Sequence, residues 1–277
     1  MTQNAQTHTR EFEFGEQDFR FLATLAHERT GIVLAEHKRD MVYGRLARRL
    51  RSLGYNSFSD YCALLSSEEG SGELDQLINA LTTNLTSFFR EPYHFEHLRN
   101  EVITPMLQSK GQKHLRIWSA GCSSGMEPYS IAMTVKDAIP NLPQWDARIL
   151  ATDIDTNMLG TGTAGEYSTT EYEKIPSRLR SHVKSNGRLI MSEELKQLIA
   201  FRYLNLLEPW PMKALFDAIF CRNVVIYFDK PTKEKLFDHL ADMMKPNGWL
   251  YIGHSENLHN ICDRFQLVGR TIYRKVK

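Results

Sequence analysis

Leu115-Arg116-Ile117-Trp118-Ser119-Ala120-Gly121-Cys122-Ser123-Ser124-Gly125-Met126-Glu127-Pro128 is the stretch on which the fold turns. An apolar run enters a glycine-bounded loop, and helical periodicity follows over residues 128–138, so the stretch reads as strand, loop, helix. Glycines at 121 and 125 allow a tight turn and a close backbone approach to a ligand. Pro128 suits a first helical turn, where its missing N–H costs nothing. The pattern is not a full G-x-G-x-x-G, because Ser123 stands two residues after Gly121. Glu127 would also repel a pyrophosphate at the helix N-terminus. An acid there favours a cationic or hydroxyl-bearing ligand; its plainer reading is that it stabilises the helix dipole.

Outward from this unit, short apolar runs at 148–152, 201–206, 216–221 and 249–253 alternate with helical segments, including one at 233–244. Such alternation predicts a largely parallel sheet covered by helices. Residues 265–276 hold two β-like runs around Gly269-Arg270 and suit an antiparallel hairpin at a sheet edge. The polar stretch 165–200 fits neither period and reads as an inserted subdomain. Upstream, residues 14–89 lack strand-like runs: Phe19, Leu22, Leu25 and Ala26 form one helical stripe, and Val42, Leu46, Leu50 and Leu53 another. The expected organisation is a flexible tail at 1–12, an all-α domain at 13–83, a linker at 84–98 contributing to the ligand site, and an α/β domain at 99–277.

Composition fits a globular chain. Of 277 residues, 42% are hydrophobic and 24% charged, enough apolar material for a core. Lys and Arg (34) nearly cancel Asp and Glu (33), so attraction to a charged partner must come from local patches. Four dispersed cysteines, Cys62, Cys122, Cys221 and Cys262, with no Cys-x-x-Cys pair, suggest a reduced compartment and give no support for zinc. No signal-peptide core and no membrane-length apolar run is present, so the expected location is the cytoplasm, with no membrane insertion.

The second strand ends Ala151-Thr152-Asp153-Ile154-Asp155. A carboxylate at Asp153 can accept hydrogen bonds from both hydroxyls of a ribose; its plainer reading is a loop acid, and Asp155's is a helix N-cap. Together the glycine loop, Glu127 and Asp153 describe a pocket for an adenosine carrying no phosphates, with S-adenosylmethionine as the candidate. A competing motif, G-x-S-x-G at 121–125, matches a serine-hydrolase elbow, with a triad drawn through Ser123, Asp217 or Asp229, and His254. The elbow normally follows several strands, whereas this loop follows the first.

Five segments in order then resemble the chemotaxis protein methyltransferases, the CheR family. They are the linker Asn79-Ala80-Leu81-Thr82-Thr83-Asn84-Leu85-Thr86-Ser87-Phe88-Phe89-Arg90-Glu91, the loop from Trp118 to Ser130, Thr152-Asp153-Ile154-Asp155, Phe220-Cys221-Arg222-Asn223-Val224-Val225-Ile226-Tyr227-Phe228, and Gly253-His254-Ser255-Glu256-Asn257. The resemblance implies a Rossmann-like S-adenosylmethionine-dependent methyltransferase domain with an inserted small antiparallel β-subdomain, preceded by an all-α domain. It implies methylation of glutamate side chains on bacterial chemoreceptors, giving glutamyl 5-O-methyl esters and S-adenosylhomocysteine, with no metal. By the same resemblance Asn84, Thr86 and Arg90 would reach the cofactor from the linker. Glu127 and Asp153 would hold its amino-acid end and ribose, Asn205 and Leu206 would border the adenine, Arg222 and Asn223 would close the site, and Tyr227 would lie beside the methyl group. Arg90, Arg222 and Tyr227 are the expected catalytic residues. A non-catalytic adaptor of the same fold is disfavoured by the intact acids at 127 and 153.

Residues 36–53 carry six basic side chains against two acidic ones. On a helix Lys38, Arg45, Arg48, Arg49 and Arg51 share a side opposite Val42, Leu46, Leu50 and Leu53. Such a face can meet an acidic helical bundle or RNA, or simply solvate a helix. The resemblance favours the receptor bundle over nucleic acid and makes Lys38, Arg45, Arg48 and Arg49 the expected substrate-binding residues. The turn at Ser185-Asn186-Gly187 is short for a family member that binds a receptor tail, so tail binding is expected to be weak or absent.

Overall fold

A computed structural model describes residues 10–109, 111 and 113–277. The chain divides into two compact units, the second being Thr83–Lys277. Among the described residues the first holds four α-helices: α1 (Glu16–Thr30), α2 (Arg39–Leu53), α3 (Phe58–Leu65) and α4 (Ser71–Leu81). Gly31 and Gly54 end α1 and α2 in the left-handed conformation, at φ +73° and +75°, where a Cβ would be penalised. Leu22, Val42, Leu46, Leu50, Phe58 and Leu77 are wholly buried, each gaining about 1.5–3 kcal/mol from leaving water. Leu53, predicted for the same stripe, is half out, because Gly54 ends the helix beneath it.

Residues 1–9 of the predicted tail lie outside the described residues. Residues 10–12 depart from the expectation: Glu11 pairs with Arg51 at 2.9 Å, and Phe12 is buried with its ring edge on Phe58. The bundle needs these aromatic rings, with Phe14, to close its core.

In the second unit the linker leads into α5 (Tyr93–His97), which continues through a π-helical stretch, Leu98–Ile103, into α6 (Thr104–Gln108). Then come β1 (His114–Ala120), α7 (Met126–Ala138), β2 (Asp146–Asp153), α8 (Thr156–Ala164), β3 (Glu166–Tyr167), β4 (Val183–Asn186), β5 (Arg188–Met191), α9 (Glu193–Lys196), β6 (Ile199–Tyr203), β7 (Phe216–Cys221), α10 (Lys230–Asp242), β8 (Met244–Ile252), β9 (Phe265–Gly269) and β10 (Ile272–Lys275). The large sheet has the order β6-β2-β1-β7-β8-β10-β9. Its first five strands are parallel, and β9–β10 form the antiparallel edge hairpin. All six residues of β7 are buried, as a central parallel strand requires.

Beyond β1 the chain builds β2 and β6 on one side and returns to β7 and β8 on the other, so strand order reverses at β1. The crevice beyond its carboxyl end is where ligands bind in such sheets. Strand β6 stops at Tyr203, short of the predicted Leu206, because the Asn205 side chain accepts the Leu207 N–H at 3.0 Å and turns the chain.

The inserted segment forms the sheet β3-β5-β4, all antiparallel, with Gly187 at φ +69° between β4 and β5. Its Tyr167, Leu189 and Met191 join the core of the large sheet. On α5, buried His94 sits 3.0 Å from Thr271 Oγ1; burial, then the charges of Arg222 and His97, push it down to about 2, so it is neutral. Among the described residues no helix is long and apolar enough to cross a membrane.

Candidate active site

The β1–α7 turn is built by residues that take left-handed backbone: Gly121 at φ +76°, Ser123 at +49° and Gly125 at +87°. A Cβ on Gly121 would lie 2.3 Å from Val224 Cγ2, and one on Gly125 would lie 2.8 Å from Gly162 Cα. Both glycines therefore exist to let neighbouring chain approach. The Gly121 and Cys122 amides donate to Thr152 O at 2.8 and 2.9 Å, fastening the turn to the end of β2.

Two carboxylates converge there. Glu127, in the first turn of α7, is 9% exposed; Ser119 Oγ donates to one oxygen at 2.7 Å and Arg222 Nη1 to the other at 2.8 Å. Burial pushes its pKa up, partly offset by Arg222 and Ser119. Asp153, at the end of β2, is equally buried and accepts the Ser123 and Asp155 amides at 2.7 and 2.9 Å. Burial raises its pKa too, against the pull of those amides. Asp155 caps α8 through the Asn157 and Met158 amides, as its plainer reading had it.

The linker lies against this crevice. Asn84 Nδ2 donates to Asp155 at 2.7 Å, and Asn84 O accepts from Ser123 Oγ at 3.1 Å. The Phe89 amide donates to Ser130 Oγ at 3.0 Å. Thr86 and Arg90 are half-buried, and Arg90 donates to Leu85 O at 2.9 Å. Arg222 is buried, and its two Nη atoms reach protein acceptors, Nη1 to Glu127 and Nη2 to Arg90 O and, at 3.5 Å, Glu91, while its Nε stands unpaired among the described residues. It thus braces linker and acid together within the site it was expected to close. Asn223 follows at φ +60°, and Tyr227 is half-buried on the next turn. Asn205 is buried at the end of β6, donating to Glu208 at 3.2 Å, with half-buried Leu206 beside it. Asn84, Asp153, Glu127, Arg222 and Asn223 are thereby joined around the carboxyl ends of β1, β2 and β7. Lys38, Arg45, Arg48 and Arg49 lie in the other unit.

Two acids were missed from the sequence. Glu91 takes Arg222, the Tyr93 hydroxyl at 3.2 Å and both the amide and Nδ1 of His254, at 3.1 and 3.0 Å. Burial raises its pKa, but Arg222 and the His254 bonds outweigh it, so the net shift is downward. Glu256 accepts backbone amides only. Both stand inside the quoted family segments, which were the available signal; their burial shows only in the folded chain.

The hydrolase triad does not assemble. Ser123 Oγ donates to Asn84 O, Asp229 caps α10, and His254 binds Glu91. Asp217 accepts the Arg116 amide at the opposite end of the sheet. The motif match arises because any tight strand–helix turn favours Gly and Ser.

The fold and site define a Rossmann-like methyltransferase. Residues 84–274 match the CheR methyltransferase SAM binding domain, and residues 17–82 the CheR methyltransferase all-alpha domain. A probable chemotaxis protein methyltransferase of Rhizobium etli is 44% identical over 252 residues, covering 88% of this chain and 94% of the relative. The chemotaxis protein methyltransferase of Escherichia coli is 42% identical over 273 residues, covering 96% and 93%, and that of Salmonella typhimurium is 41% identical over 273, covering 96% and 92%. The chain belongs to the CheR methyltransferase family.

Proposed function

We propose that the protein methylates glutamate side chains of chemoreceptors in the cytoplasm, using S-adenosylmethionine and yielding glutamyl 5-O-methyl esters and S-adenosylhomocysteine. The observation that carries this reading is the pair of buried carboxylates, Glu127 and Asp153, at the switch point of a domain matched as SAM-binding. The donor fits them: it carries an ammonium, a sulfonium and ribose hydroxyls, all suited to acids, and the turn between them holds no cationic side chain for a phosphate.

When bound, the donor supplies an already activated methyl group. Asp153 would hold the ribose hydroxyls and Glu127 the amino-acid end, with Asn84, Thr86, Arg90 and Asn223 along the wall and Asn205 and Leu206 beside the base. Arg222 fixes Glu127 and the linker, and Tyr227 lines the methyl path. The receiving glutamate, with an ordinary pKa of about 4.3, is ionised at neutral pH, so no general base is required. Rate then comes from aligning the reacting atoms and excluding water. Ion pairing alone would not accelerate a reaction in which charge is neutralised.

The receptor bundle would meet the basic side of α2. Arg48 is exposed there, whereas Arg45 donates to Leu81 O and Thr82 O at 2.6 and 2.8 Å and Arg49 pairs with Glu73. Lys38 extends the patch from the turn before α2. The short β4–β5 turn supports weak or absent binding of a receptor tail; micromolar affinity for a tail peptide in calorimetry would overturn that part. Incubation with labelled donor and receptor, then alkali, tests the chemistry. Carboxyl esters release volatile methanol; label that stays on the protein would refute glutamate as the acceptor.

A further inference from the structure

The 222–227 loop joins β7 to α10 and carries Arg222, Asn223, Val224 and Tyr227 in succession. Its backbone is held in place by a side chain from another element. Glu256, 6% exposed beyond the end of β8, accepts the Asn223 amide at 2.9 Å and the Gly253 amide at 2.6 Å on one oxygen, and the Val225 amide at 3.0 Å on the other. Burial pushes this carboxyl's pKa up, and the amides of Asn223, Gly253, Val225 and Ile226 pull it down. The loop needs holding. Asn223 sits at φ +60°, a left-handed conformation that costs a non-glycine residue, and its side chain fills the space where a Cβ on Gly253 would stand, 2.4 Å away.

We propose that Glu256 is a positioning residue for methyl transfer: it clamps the 222–227 loop so that Arg222 reaches Glu127 and Val224 seats against Gly121. The inference rests on the reading that Glu127 holds the methyl donor. Glu256 acts through the loop's backbone amides. A glutamine of nearly the same volume tests the clamp, because its amide nitrogen would set a donor against a backbone donor while leaving packing intact.

The experiment is calorimetric titration of S-adenosylhomocysteine into the full-length wild type, Glu256→Gln, Glu127→Gln and the double variant, with circular dichroism to confirm folding. Glu256→Gln is expected to weaken binding roughly tenfold, the worth of one bond to a charged acceptor. The double variant should lose less than the product of the two single losses, since one change removes the acid at 127 and the other acts through the Arg222 that holds it. Unchanged affinity in folded Glu256→Gln, or strictly multiplicative losses, would overturn the proposal. Should that variant fail to fold, Glu256→Asp keeps the charge but shortens the reach; wild-type affinity there would overturn it equally. A wild type that does not bind the product would instead refute the donor-site reading itself.

Discussion

Glu127 and Asp153 are pushed above the ordinary values of 4.5 and 3.8 by burial. A cationic donor needs both ionised, so its affinity should begin to fall on acidification while pH is still above that range. Titrations of S-adenosylmethionine at successive pH values check this, and an affinity flat down to 4.5 would contradict it. The same shift acts on folding with opposite sign. The neutral acid is favoured in the folded state, so that contribution is present below the unfolded pKa and lost as pH rises through the folded one. At Gly121 an alanine would take a left-handed backbone and meet Val224. Gly121→Ala should lose about 1–3 kcal/mol of stability and most product affinity, read by melting and calorimetry. Glycines and acids flanking a strand–helix turn are legible in sequence because their reasons are local. The partners of Arg222 were not, since Glu91 and Glu127 reach it only once separate strands and the linker are placed together.

At the scale of the element, α2 shows how far periodicity reaches. Spacing put Arg48 and Arg49 on one side, and it could not show Glu73 of α4 beneath Arg49. That buried carboxylate takes Arg49 Nε at 2.7 Å and the Tyr61 hydroxyl at 2.8 Å. Arg49→Ala would leave it with the Tyr61 hydroxyl alone and should cost about 1–3 kcal/mol, whereas Arg48→Ala should stay within about 0.5 kcal/mol; denaturant melts separate the two. Charge reversal at Arg48 is therefore the clean probe of receptor docking, expected to raise KM for receptor and leave product binding alone. Helix α5 carries a pH signature. His94 is neutral when folded, so stability is lost as pH falls through the unfolded value of 6.5, where the unfolded chain takes the proton first. His94→Leu should flatten that acid limb in melts across pH; an unchanged slope would assign it to other groups.

At the scale of the molecule, the described residues divide between a core in the helices before Thr82 and the packing around the sheet. The change from helical spacing to alternating runs made that division legible. Strand order was not, because parallel partners are chosen by crossovers that leave no local mark. Product at a hundredfold its Kd should stabilise the Thr83–Lys277 unit by about 2.7 kcal/mol, visible as an upward shift of its calorimetric transition. The thiols of Cys122 and Cys221, just past β1 and at the end of β7, are buried, and burial raises their pKa far above the ordinary thiol value. Alkylating reagent can reach them only when the crevice breathes. With Cys62 and Cys262 changed to serine, the labelling rate becomes a native clock for that breathing, and occupancy by product should slow it.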